Sequence, residues 1–143
     1  MNLPITGGCH CGAVRYESHE RPILMLKCHC RDCQRITGGP YVPAVIFPYQ
    51  AFRVTRGEIR RHATDSENGG HNLRGFCAAC GSRLTGAEDP ERGMIGVVAS
   101  SLDDPGIFQS QFDMYVEDAQ PWDVLDSTSP KYPGRLPNRN SIK

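Results

Sequence analysis

Cysteine is the residue type whose spacing in this chain carries the most chemical information. The seven cysteines fall into three clusters: Cys9-His10-Cys11, Cys28-His29-Cys30-Arg31-Asp32-Cys33 and Cys77-Ala78-Ala79-Cys80-Gly81. Thiolates two or three residues apart can bind one soft cation such as zinc. A structural zinc site uses four protein ligands, whereas a reactive zinc site uses three and leaves one position open. Seven cysteines therefore suggest two zinc ions per chain, one structural and one able to accept a substrate.

The pair Cys77 and Cys80 has the two-residue gap that is typical of a zinc knuckle, with Gly81 relieving the turn that follows. This pair supplies half of a site. The other half can come from Cys9 and Cys11 or from two of the three cysteines at positions 28, 30 and 33, and spacing alone leaves both pairings open.

The middle cluster, defined as Cys28, Cys30 and Cys33, holds three thiolates within six residues. This proximity favours convergence on one metal with a free fourth position, which leaves the other four cysteines to share the second metal. We call that second set the four-cysteine group: Cys9, Cys11, Cys77 and Cys80.

Charge indicates the type of reaction that the middle cluster supports. Zinc with three thiolates carries a net negative charge and is a poorer Lewis acid than zinc held by neutral histidines. A substrate thiol bound as a fourth thiolate is deprotonated near neutral pH and electron-rich, which favours its attack on an electrophile over metal-assisted hydrolysis. Lys27, Arg31 and Arg35 flank the cluster and can offset its charge or hold a substrate carboxylate.

Other polar residues have simpler interpretations. His10 and His29 each lie inside a Cys-x-Cys, where the intervening side chain usually points away from the metal, so a solvated or packing role is expected. Trp122 is expected in the core or as a lid. Surface or turn positions are expected for His19, His62, His71, Glu88, Asp89, Asp103 and Asp104.

Length and charge narrow the class of protein. A chain of 143 residues is expected to form one domain. The 16 basic and 16 acidic residues balance, so we expect neither a nucleic-acid nor a membrane partner. The N-terminus lacks a secretory signal, which predicts a cytoplasmic protein with reduced cysteines. A homodimer is left open.

Short apolar stretches separated by glycine and proline predict a mainly β domain with one short helix. The helix is expected at Arg31–Ile36, and residues 126–143 are expected to form a loosely ordered tail behind a domain of residues 1–125. The predicted strands are Ala13–Glu17, Ile23–Lys27, Tyr41–Phe47, Phe52–Thr55, Ile59–His62, Leu73–Phe76, Arg83–Thr85, Met94–Ala99 and Met114–Glu117.

Taken in order, the motifs of the chain resemble the glutathione-dependent formaldehyde-activating enzyme family from about Gly7 to Trp122. The motifs that carry the resemblance are Gly8-Cys9-His10-Cys11-Gly12, Cys28-His29-Cys30-Arg31-Asp32-Cys33-Gln34-Arg35 with Thr37-Gly38, Phe76-Cys77-Ala78-Ala79-Cys80-Gly81-Ser82, Leu102-Asp103-Asp104-Pro105 and Pro121-Trp122.

The resemblance implies a β-tent fold of antiparallel sheets, a structural zinc on the four-cysteine group and a catalytic zinc on the middle cluster. It also implies a carbon–sulfur lyase-type reaction, the reversible addition of glutathione or a similar small thiol to formaldehyde or another small aldehyde. Two alternatives are a non-catalytic binding module built around zinc, and a redox or metal sensor that uses the middle thiols as a switch.

Overall fold

The computed structural model describes residues 1–66 and 69–136 of the chain. Within this part it is mainly β, with two sheets and a single short α-helix, which confirms the predicted class. The strands are β1 (Ile5–Gly8), β2 (Arg15–Ser18), β3 (Leu24–Cys28), β4 (Val42–Pro48), β5 (Phe52–Arg56), β6 (Arg60–Asp65), β7 (His71–Phe76), β8 (Arg83–Asp89), β9 (Met94–Val98) and β10 (Asp113–Met114). The helix, α1 (Arg31–Thr37), lies between β3 and β4.

The first of two compact units contains Met1–Leu24 and Ala44–Phe108. One sheet of this unit has the antiparallel order β1-β2-β5. The second sheet runs in the order β4-β9-β8-β7-β6, again with antiparallel neighbours. Its core consists of fully buried apolar side chains on β4, β8 and β9, which are Val45, Phe47, Leu84, Ile95 and Val97.

Strand β2 shows how the apolar and polar pattern places side chains. Tyr16 is buried while its neighbours Arg15 and Glu17 are half-buried, as expected when successive side chains point to opposite faces. The Tyr16 hydroxyl lies 2.6 Å from the Ser101 hydroxyl, so the buried phenol keeps a hydrogen-bond partner. Burial raises the pKa of Tyr16 well above its usual value.

Close packing between β7 and β8 depends on Gly75. A Cβ atom at this position would overlap the side chains of Thr85 and Ile59, both of which are buried. We therefore expect Gly75→Ala to lower the free energy of unfolding by about 1–3 kcal/mol. Gly39→Ala is the control, since a Cβ there would have no neighbour closer than 3.8 Å. Denaturant unfolding of the two variants tests this, and equal stabilities would contradict it.

The second unit contains Met25–Pro43 and the described residues from Gln109 onward. Here β3 and β10 pair in parallel, with Lys27 opposite Asp113 and Cys28 opposite Met114. Helix α1 begins at its N-cap Cys30 and ends at Gly38, whose φ of 73° lies in the left-handed region that favours glycine. The helix is one residue longer than predicted.

One strand of the structure was not predicted, and one predicted strand is shorter than expected. Strand β1 was not predicted, because half of its four residues are glycines, which have low strand propensity. Gly7 is required there, since a Cβ would overlap the Tyr16 ring. The predicted strand Met114–Glu117 is wrong beyond Met114: Tyr115 has a left-handed φ of 55° and Val116–Asp118 forms a 3-10 helix.

Of the two positions expected for Trp122, the core is wrong, because the residue is 66% exposed, and a lid stays a prediction. The segment after it makes backbone hydrogen bonds to the β10 region: Tyr132 donates to Asp113 at 2.9 Å, and Tyr115 donates to Gly134 at 3.0 Å. Part of the predicted tail, residues 137–143, lies outside the described residues, and the boundary at residue 125 stays a prediction. No helix in the described ranges is both long and apolar enough to cross a membrane.

Candidate metal centres

The four-cysteine group lies in the first unit, where its four sulfur atoms are all within 4.8 Å of one another. The Cys11 Sγ atom lies 3.6 Å from Cys9 Sγ and 3.9 Å from Cys77 Sγ. Cys9 and Cys77 are buried, whereas Cys11 and Cys80 are exposed. The structure thus brings together the four cysteines that the proximity argument had grouped, which spacing alone left as one of two pairings.

Two similar turns deliver these sulfurs. In the first turn, the amide of Cys9 donates to the Val14 carbonyl at 3.1 Å, and in the second the amide of Cys77 donates to the Ser82 carbonyl at 3.0 Å. A glycine follows the second cysteine of each turn, with φ of 81° at Gly12 and 77° at Gly81. Both φ values lie in the left-handed region that favours glycine, which explains why Gly81 indicated a turn in the sequence.

Polar groups around the four-cysteine group favour negative charge on some sulfurs. The Val14 amide donates to Cys9 Sγ at 3.2 Å. Burial opposes ionisation of Cys9, but this hydrogen bond and the neighbouring thiols bring its pKa below the usual value. Hydrogen bonds from the Ser82 hydroxyl and amide lower the pKa of Cys80 to about 5.

Cys11 shows the opposite shift. The Ala13 amide favours its thiolate, but the adjacent sulfurs of Cys9 and Cys80 outweigh it and raise the pKa of Cys11 to about 11. The protein groups around these four sulfurs cannot stabilise all of them as thiolates at once, because each added negative charge repels the others. A bound cation would remove this repulsion, and an all-thiolate set suits a soft divalent metal such as zinc.

The middle cluster lies in the second unit, and its three sulfurs are also within 4.8 Å of one another. Cys28 ends β3, Cys30 is the N-cap of α1, and Cys33 lies in the first helical turn. The Cys33 amide donates to Cys30 Sγ at 3.3 Å, so the helix start itself orients one sulfur. The neighbouring thiols Cys30 and Cys33, and then burial, raise the pKa of Cys28 far above its usual range.

The middle cluster has no fourth ligand from the protein among residues 1–66 and 69–136: no further His, Cys, Asp or Glu joins its three sulfurs. The donor set fits a metal held on one side by three thiolates. Metal ligation by either group stays a prediction, since the geometry shows only that the sulfurs converge.

The basic residues near the middle cluster have partners of their own. The Lys27 ammonium lies 5.1 Å from the centre of the Tyr41 ring. The Arg31 guanidinium donates to the Gln34 side-chain oxygen, and Arg35 is exposed in the last turn of α1. Among residues 1–66 and 69–136, partners are found for Lys27 and Arg31 and none is found for Arg35. A role for these three residues in holding a substrate carboxylate stays a prediction.

The histidines of the two Cys-x-Cys motifs have different environments. His10 is exposed, whereas His29 is buried with only 1% of its side chain accessible. The Nε2 atom of His29 lies 2.7 Å from an oxygen of Asp113, and its Nδ1 atom lies 3.3 Å from an oxygen of Asp123. Sequence reasoning missed both carboxylates. An acid between the apolar residues Phe112 and Met114 is a signal of burial, but nothing local identifies its partner.

The chain is similar to one protein family and to a solved structure. The model of the family described as glutathione-dependent formaldehyde-activating enzyme matches residues 4–118 of the chain. A crystal structure of a Rhodobacter sphaeroides protein is similar at 20% identity, with a TM-score of 0.55, and the match covers 90% of this chain and 99% of that one. This structural likeness shows a shared fold.

Proposed function

The chain belongs to the glutathione-dependent formaldehyde-activating enzyme family, and on that premise we propose that it adds a small thiol reversibly to a small aldehyde. The proposed thiol is glutathione or a related compound, and the proposed aldehyde is formaldehyde or a close analogue. The activity is of the carbon–sulfur lyase type and depends on zinc.

The observation that carries this proposal is the open donor set of the middle cluster. Three sulfurs converge within 4.8 Å, and none of the other described His, Cys, Asp or Glu side chains completes the set. Three protein ligands are typical of zinc sites that keep a position for a substrate, whereas four are typical of structural sites. The same reasoning assigns the four-cysteine group to a structural zinc.

We propose Cys28, Cys30 and Cys33 as the residues that hold the catalytic metal. When bound there, zinc would lower the pKa of a substrate thiol so that more of it is thiolate near neutral pH. The chain's contribution is to hold three sulfurs on one side through the end of β3 and the first turn of α1. The half-buried positions of these cysteines leave the cluster accessible to a small molecule.

The proposed reaction balances without an oxidant or a reductant. A bond forms between the thiol sulfur and the aldehyde carbon, the carbonyl π bond breaks, and the proton of the thiol ends on the carbonyl oxygen. The product is a hydroxymethyl thioether when the aldehyde is formaldehyde. Holding the two reactants together would supply much of the acceleration, because it replaces a bimolecular encounter by a local one.

A cobalt-loaded protein tests whether the middle cluster accepts a thiol. We expect glutathione to change the sulfur-to-cobalt absorption bands, with an effect that grows as pH rises toward the thiol pKa, because the thiolate is the binding form. S-methylglutathione is the matched control, since it keeps the peptide and lacks the thiol. The same spectral change with this control would contradict direct binding through sulfur.

Turnover distinguishes the enzyme from a binding module. Consumption of formaldehyde in the presence of glutathione should exceed the uncatalysed rate for the native protein and fall to that rate for Cys33→Ser. A spectral response to glutathione without any such acceleration would favour a thiol-binding module, and reversible loss of zinc on mild peroxide treatment would favour a sensor.

A further inference from the structure

We infer that His29 is a positioning residue, which fixes the directions of the Cys28 and Cys30 sulfurs by anchoring the loop between them to Asp113 and Asp123. This inference rests on the proposed function of the middle cluster. It concerns side chains that lie behind the sulfurs rather than the metal ligands themselves.

The backbone around His29 places its ring opposite the two sulfurs. The parallel hydrogen bonds between β3 and β10 continue one residue past Cys28, the last residue of β3. The amide of Lys27 donates to the Phe112 carbonyl at 3.1 Å, and the amide of His29 donates to the Met114 carbonyl at 3.0 Å. Cys30 is also extended, with φ of −61° and ψ of 155°. Side chains alternate along an extended chain, so Cys28 and Cys30 share one side and His29 points to the other.

The ring of His29 is held by one short contact to Asp113 and by two further side chains that lie against it. Besides Asp113 at Nε2 and Asp123 near Nδ1, the Tyr41 ring lies 5.2 Å from it, centre to centre. Asp113 is itself 1% exposed, and its second oxygen accepts from the Ser129 hydroxyl at 2.6 Å. The buried series from Ser129 through Asp113 to His29 Nε2 has one favoured arrangement, because a shift would leave the Asp113 carboxylate without a partner.

The backbone of the same loop is fixed independently. The Gln34 side-chain nitrogen donates to the His29 carbonyl at 2.7 Å and to the Asp118 carbonyl at 2.9 Å. The loop from Cys28 to Cys30 is therefore held by its ring and by its carbonyl, both against residues 113–123. Partners of this kind behind a metal site typically change metal affinity by about 10–100-fold when they are removed.

Two amide variants test the role of the His29–Asp113 bond. A glutamine amide can place its nitrogen where Nε2 lies and reach Asp113, whereas an asparagine amide is shorter and cannot. In the zinc-loaded protein, we expect His29→Asn to weaken the middle-site metal by about 10–100-fold against a competing chelator, with His29→Gln restoring most of the loss. The metal of the four-cysteine group should be released as in the native protein.

A second measurement does not depend on metal affinity. The amide of residue 29, which donates to Met114 at 3.0 Å, should exchange its hydrogen with solvent faster in His29→Asn and at nearly the native rate in His29→Gln. His62→Asn is the control, since His62 is exposed on β6. If the glutamine and asparagine variants both match the native protein, or lose middle-site metal equally, the inference is wrong. A native protein that binds only one metal per chain would instead refute the proposed function.

Discussion

Replacing Cys80 by serine is expected to yield little soluble protein, while Cys33→Ser should fold and lose about one zinc per chain. The four-cysteine group joins Cys11 to Cys77, which are 66 residues apart, whereas the middle cluster closes a loop of only six residues. Constraining the longer loop removes more entropy from the unfolded chain. Because Cys80 is exposed, its replacement removes a ligand without opening a cavity.

Soluble yield, melting temperature and zinc content of both variants measure this contrast. Cys33→Ser serves as the matched control, since it makes the same chemical change in the other group. Cys28→Ser provides a second check: damage equal to that of Cys80→Ser would mean that the middle cluster, too, clamps distant segments, and the division into a structural and a reactive site would be wrong.

Removal of both metals by a strong chelator is expected to unfold the first unit. A structural zinc can contribute of order 10 kcal/mol to the folding of a small domain, which exceeds or matches the stability of most domains. The shifted thiol pKa values point the same way, because without a cation Cys11 has a pKa of about 11 and retains its proton at neutral pH. Circular dichroism and melting curves, before and after chelation, measure the effect.

Re-addition of zinc should restore the native spectrum if the loss comes from metal removal alone. An unchanged melting temperature after metal analysis has shown complete removal would contradict a structural role for the four-cysteine group. Partial release is also informative: loss of one metal with no change in melting temperature would identify the middle cluster as the weaker site.

The convergence of the cysteines was predictable because the information for it is largely local. Cys77, Cys80 and Gly81 form one turn, and Cys28, Cys30 and Cys33 lie on one strand end and the next helical turn, so spacing alone indicates convergence. The mainly β class followed from short apolar stretches in the same way. The partners of Cys77 and Cys80 were favoured only indirectly, because the proximity of the three middle thiolates left Cys9 and Cys11 for the other group.

The support behind the middle cluster was not predictable from spacing. His29 and Asp113 are 84 residues apart, and no sequence motif that contains one of them predicts contact with the other. Their contact follows from the parallel pairing of β3 with a two-residue strand, which is too short to give a periodic signal. Trp122 was misplaced for a related reason: apolar character favours burial, but it does not determine which surface a loop residue faces.

The pairing of β3 with β10 also affects the order in which the two cysteine groups can form as the chain is synthesised. Synthesis proceeds from the N-terminus, so all four sulfurs of the first site exist once Cys80 has been added, and the three thiols of the second are made even earlier. Yet the carboxylates and the hydroxyl that hold the loop of His29 are made only later, with Asp113, Asp123 and Ser129. On the ribosome, the four-cysteine group can therefore come together while the middle cluster still belongs to an unfinished fold.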